Sequence, residues 1–374
     1  MTAPLYNKLQ TEKPMVTQQG NQGLWFERFF DQYNTLKNWE VGTEKTRWLS
    51  IHFNNKKVGD DKRLTSHAQA QTQLAESLQG KSLVFKASWH FVTGMGNPHP
   101  VENGFAWHPT LGVPYLTGAA VKGLIRTFIE TQLDETDSEN PDKKKLLLQW
   151  FGSTDKDPMS EGYQAQAGEL IFFDALPIEP VTLGVDIMTP HMGKWYEKGG
   201  DITDLARQPE AVPADWHDPV PVSFLVAKDI TLLFSFAMRP HPTAKQEPFR
   251  QLDLTEVEQA LTAVLEQMGA GGKTATGYGG MMNPEKQKQV EKMQKEAELL
   301  TSAERIDGYL KINNRNQSLY LERSGKQLAF ATGSKPNELL QSLPAEAVKT
   351  MKSGKGIKVN AYISKQEILK VEIF

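Results

Sequence analysis

Hydrophobic spacing changes period several times along the chain, and each change marks a new element. Residues 1–20 are polar, carry two prolines and show no period, which predicts a mobile N-terminal arm. Leu24, Trp25, Phe29, Phe30 and Tyr33 then recur at helical spacing, so residues 23–36 are expected to form an amphipathic helix docked on the body. Residues 81–92, KSLVFKASWHFV, have the β-branched and aromatic content of a strand and open the main fold. A helix is predicted from residue 118 to about 133, followed by a charged loop at 134–145 and renewed apolar structure at 146–151. Strands are expected at 169–173 and 181–188, flanking a turn at Pro177 and Pro180, and again at 228–238. A second helix at 255–268 and a short closing strand at 277–282 complete the order strand, helix, two strands, helix, strand. That is the split βαβ order of a ferredoxin-like, or RRM-like, domain of the α+β class.

The pattern changes again after residue 283. Residues 284–300, PEKQKQVEKMQKEAELL, begin with proline, alternate in charge and offer little apolar surface, which predicts a connecting helix. From Asp307 onward, GYLKINN, SLYLER and KQLAFAT read as three short strands, 336–352 as a helical stretch, and IKVNAYIS and ILKVEIF as two more strands. Three strands, a helix and two strands is the order of a small OB-like β-barrel. In so small a domain Tyr309, Tyr320 and Phe330 serve either as stacking rings for single-stranded nucleic acid or as core. The expected domains are an N-terminal extension at 1–80, the α+β domain at 81–282 with an insertion at 189–220, the connecting helix at 283–300 and the barrel at 301–374.

Composition narrows the class of protein. A hydrophobic share of 39% and a charged share of 23% over 374 residues are those of a globular protein with room for two or three domains. The absence of cysteine excludes disulfides and thiolate zinc sites and agrees with a reducing compartment. With no apolar run of 18 residues and no basic-then-apolar leader, cytoplasmic residence without a membrane partner is expected. The net charge of −3 is unevenly divided: residues 1–284 hold 26 lysines and arginines against 34 acids, whereas 301–374 hold 12 against 7. An RNA-binding groove in the first part would therefore be a local feature of an acidic body.

Two stretches carry the candidate chemistry. In TLGVPYLTGAAVKGLIR, residues 110–126, Thr117 is placed to cap a helix whose first exposed charges, Lys122 and Arg126, share one face. Cations in the first turns of a helix oppose its macrodipole, and an anion such as phosphate would reconcile them; two solvated side chains are the alternative. In GAGGKTATGYGG, residues 269–280, six of twelve positions are glycine. This loop follows a helix and has Gln267 where a phosphate-binding loop requires glycine, so a nucleotide-hydrolase reading is rejected. The backbone of Gly271, Gly272, Lys273 and Thr274, with the side chains of Lys273 and Tyr278, instead suits a sugar-phosphate chain, against the reading of a plain connection into an edge strand.

Other candidates are weaker. Lys56, Lys57, Lys62 and Arg63 around Gly59 read better as a solvated cluster than as an RNA loop. The loop TGMGNPHP starts like a dinucleotide fingerprint but has His99 in place of the third glycine, and Pro98 blocks a helix. His90, His99 and His108 are potential acid-base groups whose spacing fits neither a catalytic nor a compact metal pattern, so structural bonding or RNA contact is favoured.

The two stretches, as Gly112-x-Pro114-Tyr115-x-x-Gly118-x-x-x-Lys122-Gly123-x-x-Arg126 and GGKT-x-x-GYG, resemble the RAMP superfamily of CRISPR effector proteins, and within it subunits of the type III-B, or Cmr, complexes. Phe151-Gly152-Ser153, Gly168-Glu169-Leu170, Asp174-Ala175, Thr189-Pro190-His191 and Asp215-Trp216-His217-Asp218-Pro219 follow in the same order, and the resemblance spans residues 80–282. It implies a ferredoxin-like domain that binds CRISPR guide RNA near its 3′ end, supports target RNA recognition and sits among other Cmr subunits. It also implies a thumb-like arm at 189–220 that reaches RNA or a neighbouring subunit through His191, Trp195, Tyr196 and Trp216; the alternative is that these aromatics pack the arm on the body. Subunits of this family that cut target RNA place an aspartate after the first strand. Residues 93–114 contain none, Glu102 being the only acid, so a non-catalytic subunit with no cofactor is expected. The alternatives are a metal-independent ribonuclease that processes CRISPR transcripts with a histidine base, and an RNA-binding protein unrelated to CRISPR.

Overall fold

The computed structural model describes residues 20–34, 40–41, 44–131, 141–153, 166–198, 204, 206–207, 212, 218–240, 253–313, 318–331 and 333–373. All but residue 20 of the predicted arm at 1–20, and Trp216, lie outside them. The chain forms two compact units, Met1–Pro284 and Glu285–Phe374.

The first unit begins with α1 (Gln22–Arg28), capped by Asn21, whose side chain accepts the Leu24 N–H at 2.9 Å. The expected helix over 23–36 is thus short, and Tyr33 lies in a strand, β1 (Tyr33–Asn34), paired with β2 (Glu40–Val41). The aromatic spacing has a packing cause: Trp25, Phe26 and Phe30 are buried, where they meet Trp48 and Phe53 of the α2 region (Lys45–His52). The basic stretch expected as a solvated cluster holds β3 (Lys57–Val58) and the start of α3 (Asp61–Ser77), which Asp60 caps through the Arg63 N–H at 3.0 Å.

Strand β4 (Lys81–Ala87) stops earlier than expected, and the chain leaves it in an irregular segment at 88–93. After a long loop come α4 (Gly118–Thr131), α5 (Pro141–Phe151), β5 (Leu170–Phe172), β6 (Leu176–Pro177) and β7 (Val181–Met188). Part of the predicted arm follows, with the six-residue α6 (Gly193–Lys198). The single strand expected at 228–238 is the second half of a pair, β8 (Val222–Lys228) and β9 (Thr231–Met238), joined through Asp229 at φ 51°. Then come α7 (Leu254–Gln267), capped by Asp253, a 3-10 turn at Thr274–Thr276 and β10 (Met281–Met282).

Two sheets result. The main one runs β10-β4-β9-β5 with antiparallel neighbours, and β6 also pairs with β9. Strand β9 is buried along almost its whole length, as a central strand covered on both faces must be. The second sheet is β3-β7-β8, in which Val181–Met188 pairs along its length with β8 and not with the main sheet. The insertion expected at 189–220 therefore falls in the connection of the β7–β8 hairpin, whose ends meet where Val220 N–H donates to the Pro190 carbonyl at 3.1 Å. Val121, Ile125 and Phe128 of α4 and Val257, Leu261, Val264 and Leu265 of α7 bury one stripe each in the common core.

The second unit opens with α8 (Pro284–Thr301), in which no residue is buried. Five strands follow, β11 (Glu304–Ile312), β12 (Leu319–Arg323), β13 (Lys326–Ala331), β14 (Ile357–Ser364) and β15 (Glu367–Ile373), and close as a barrel in the order β11-β12-β13-β15-β14. The expected helical stretch is two helices, α9 (Lys335–Ser342) and α10 (Ala345–Lys352), parted at Pro344, which has no N–H to continue the first. Leu310, Leu319, Leu321, Ala329, Val359, Ala361 and Ile368 fill the interior. Because side chains alternate, their neighbours point outward: Tyr309 is 51% and Phe330 40% exposed, and Tyr320 is half-buried. The register sets Lys311, Tyr320 and Phe330 side by side across three strands.

Candidate nucleic-acid interface

The start of α4 is held by two side chains. Thr117 Oγ1 accepts the Ala120 N–H at 3.2 Å, as the sequence predicts of a cap. Asp174, directly after β5, accepts the Gly118 N–H at 2.7 Å. The helix N-terminus thus already carries the chain's own carboxylate, so the anion expected at that point is Asp174.

Lys122, one turn on, faces other cations. Burial, and then the nearby Arg126 and Arg239, push its ammonium below the usual lysine range. Arg126 pairs with Glu130 at 2.7 Å and reaches the Gly152 carbonyl at 3.4 Å. Among the described residues Lys122 has no carboxylate partner. A partly buried lysine beside two arginines gains from any anion that enters, because the like-charge repulsion is then relieved. Arg239, absent from the sequence reading, is brought here by β9, and its N–H is held by the Glu169 carbonyl at 2.7 Å.

The glycine-rich loop is tied to the segment after β4 by main-chain hydrogen bonds: Ser88 N–H to Gly280, Gly279 N–H to His90 and Gly272 N–H to Val92, at 2.7–2.8 Å. Its own ends are joined by Ala270 N–H to Gly279 at 2.8 Å. Gly271 and Gly279 have φ of 90° and 71°, and a Cβ at either would collide with a carbonyl oxygen, of Val92 and of Ala270 respectively. Lys273 adopts a left-handed φ of 57° without that relief. Among the described residues, the N–H groups of Gly271, Lys273 and Thr274 find no acceptor in the chain, whereas that of Gly272 is taken by Val92. Thr93 then links this region toward α4, its hydroxyl donating to the Tyr115 carbonyl at 3.0 Å.

Tyr278 is not an RNA-facing ring. It is buried with Val92, Phe224 and Val226, and its hydroxyl donates to Asp186 Oδ2 at 2.6 Å. The loop reverses at Gly277 and Gly279 and so turns this side chain inward. Burial, then the Asp186 carboxylate, raise the Tyr278 hydroxyl far above its ordinary range. Burial alone would raise Asp186, but the Tyr278 hydroxyl, the Ile187 N–H and His90 together hold it below the usual carboxylate range. His90 Nδ1 lies 3.5 Å from Asp186 Oδ2, too far for a good hydrogen bond. Lys273 extends over this cluster, its ammonium 5.5 Å from the Phe224 ring and 5.8 Å from that of Tyr278.

The remaining candidates separate by environment. His99 is structural: Nδ1 accepts the Val101 N–H, leaving Nε2 to donate to the Phe26 carbonyl at 3.0 Å, and its ring stacks 3.9 Å from that of Phe26. His108 Nδ1 accepts the Leu111 N–H at 3.2 Å. Glu102 pairs with Lys45 at 2.6 Å. In the arm, His191 and Tyr196 are exposed and Trp195 half-buried. No group of three or more metal-ligating side chains occurs among the described residues, and no described helix is long and apolar enough to cross a membrane.

Residues 82–281 match the RAMP superfamily, and the chain belongs to that family. It is 28% identical over 260 residues to the CRISPR system Cmr subunit Cmr6 of Pyrococcus furiosus, an alignment covering 57% of this chain and 71% of that protein. Among solved structures it is similar to a type III-B Cmr-beta complex bound to cognate target RNA, with 17% identity, a TM-score of 0.43 and coverage of 68% of this chain and 76% of the other. A crystal structure of Cmr6 from Pyrococcus furiosus matches with 23% identity, a TM-score of 0.30 and coverage of 55% and 97%.

The Tyr278–Asp186 bond gives a pH-dependent prediction. Asp186 is lowered from 3.8, so its stabilisation is complete above that unfolded value and disappears as pH falls through the lower folded one. Tyr278 is raised from 10.0, so its share is complete below about 10 and is lost only in stronger alkali. Tyr278→Phe should therefore cost about 1.5–3 kcal/mol at neutral pH, the worth of a hydrogen bond to a charged group. Urea titrations should show that cost shrinking below pH 4; an equal cost in acid would mean that the charge on Asp186 contributes nothing.

Proposed function

We propose that this protein is a non-catalytic subunit of a type III-B CRISPR effector complex, in which it binds guide RNA near the 3′ end alongside other Cmr subunits and the target RNA. The observation that carries the reading is the pairing, within one RAMP domain, of the cation group Lys122, Arg126 and Arg239 with a glycine-rich loop that offers Lys273 and unpaired N–H groups. Phosphate contacts position an RNA without reading its sequence, and such groups supply them. The similarity to Cmr6 supports the assignment to this kind of complex. The sheet order β10-β4-β9-β5, with α4 and α7 in the connections, supports a ferredoxin-like reading of the domain. His191 and Trp195 in the β7–β8 connection stay in the reading as arm contacts, with Trp216 outside the described residues.

Binding rather than cutting is supported by two of the three histidine candidates and by Glu102. His99 and His108 use ring nitrogens in local hydrogen bonds, and Glu102 is engaged by Lys45. Each phosphate contact to single-stranded RNA contributes roughly 0.7 to the slope of log affinity against log salt. Lys122→Ala and Lys273→Ala should each weaken guide binding for every sequence and reduce that slope by about this amount. Glu102→Gln should leave affinity and target cleavage by the assembled complex unchanged. Unaltered binding in both lysine variants would refute the assignment.

For the second unit we propose an OB-type barrel with a nucleic-acid-binding outer face. The parallel β13–β15 pairing and the outward row of Lys311, Tyr320 and Phe330 support it, together with the basic balance of residues 301–374. A fragment of residues 285–374 should fold alone with β-rich circular dichroism and bind labelled single-stranded RNA at low salt. Folding without binding would leave the barrel as a protein-docking module.

A further inference from the structure

The proposed phosphate contacts leave one conspicuous side chain beside the glycine-rich loop unused. Trp89, in the segment after β4, is 48% exposed in a part of the fold where neighbouring apolar side chains are buried. One side of its ring is backed: the His90 ring stacks on it at 4.8 Å with an interplanar angle of 16°, and the Tyr278 ring leans on it at 4.6 Å. Tyr278 is itself fixed by Asp186, and Ser88 and His90, on either side of Trp89, are bonded to Gly280 and Gly279. An exposed tryptophan is normally free to reorient; this one is clamped at its backbone and braced at its ring.

We infer that Trp89 is the platform for one unpaired RNA base, with the adjoining phosphate held by Lys273. Tyr278 connects the two, touching the tryptophan on one hand and lying 5.8 Å below the lysine ammonium on the other. Stacking needs a flat apolar face whose orientation is set beforehand, because ordering a loose ring would offset much of the gain. Since every base has a π-face, the contact is indifferent to sequence, as a site for guides of differing sequence requires. The Asp186, His90 and Tyr278 cluster then acts beneath the ring in a positioning role and touches no RNA. This inference rests on the RNA-binding reading above and adds a base subsite to it.

The test uses the full chain and a labelled single-stranded oligoadenylate in equilibrium titrations. Trp89→Ala should weaken binding roughly 5- to 150-fold, the range for removal of one base–aromatic stack. Its salt slope should match that of the wild type, because no phosphate contact is lost. Trp89→Phe, which keeps a ring and guards against a folding defect, should retain most of the affinity while removing part of the tryptophan quenching seen on RNA addition. Unchanged affinity and quenching in both variants, with Lys122→Ala still weakened, would overturn the base subsite and leave the binding function standing. Unchanged affinity in the Trp89 and Lys122 variants alike would overturn the RNA-binding reading itself.

Discussion

The seam between the glycine-rich loop and the segment after β4 is the constraint on which the candidate interface depends. Three main-chain hydrogen bonds cross it, from Ser88, Gly272 and Gly279; a Cβ at Gly271 would collide with the Val92 carbonyl across the seam, and one at Gly279 with the Ala270 carbonyl inside the loop. The consequences spread outward in order. Tyr278 is turned into the core, its hydroxyl finds Asp186 on β7, and the ring becomes a floor for Trp89 on one side and Lys273 on the other. Glycine here is a requirement of contact between backbones, and flexibility plays no part in it.

The second constraint is electrostatic. Residues 1–284 carry an excess of acid, yet Lys122, Arg126 and Arg239 are gathered where α4 begins and β9 ends. Such a gathering costs free energy in the unliganded protein, through both partial burial of Lys122 and mutual repulsion. Glu130 offsets Arg126 at 2.7 Å, but among the described residues Lys122 has no carboxylate partner. A polyanion entering there would remove that cost.

The sequence was most informative where local chemistry decides structure. The Thr117 cap, helices α4, α7 and α8, and the succession of strands along residues 304–373 all follow from periodicity, capping residues and turns. It was least informative where tertiary partners decide. Tyr278 sits in a loop full of exposed-looking residues, and only its partner Asp186, 92 positions away, reveals that it is buried. Trp89 lay inside what reads as a continuous strand, whereas β4 ends at Ala87 and exposes it. Helix α3 was missed because its interior is largely polar, with only Leu64, Gln71 and Ala75 buried. The rings of the barrel could not be assigned to core or surface until the register showed Leu310, Leu321 and Ala329 filling the inside.

Photo-crosslinking would locate bound RNA on the chain peptide by peptide. Guide RNA carrying 4-thiouridine along its 3′ region would be assembled with the full chain, irradiated and digested, and the linked peptides identified by mass spectrometry. Crosslinks should concentrate in the peptides containing Trp89, Lys122 and Lys273, which lie in three separate stretches of the sequence. Crosslinks confined to other parts of the chain, with RNA still bound, would contradict the proposed interface.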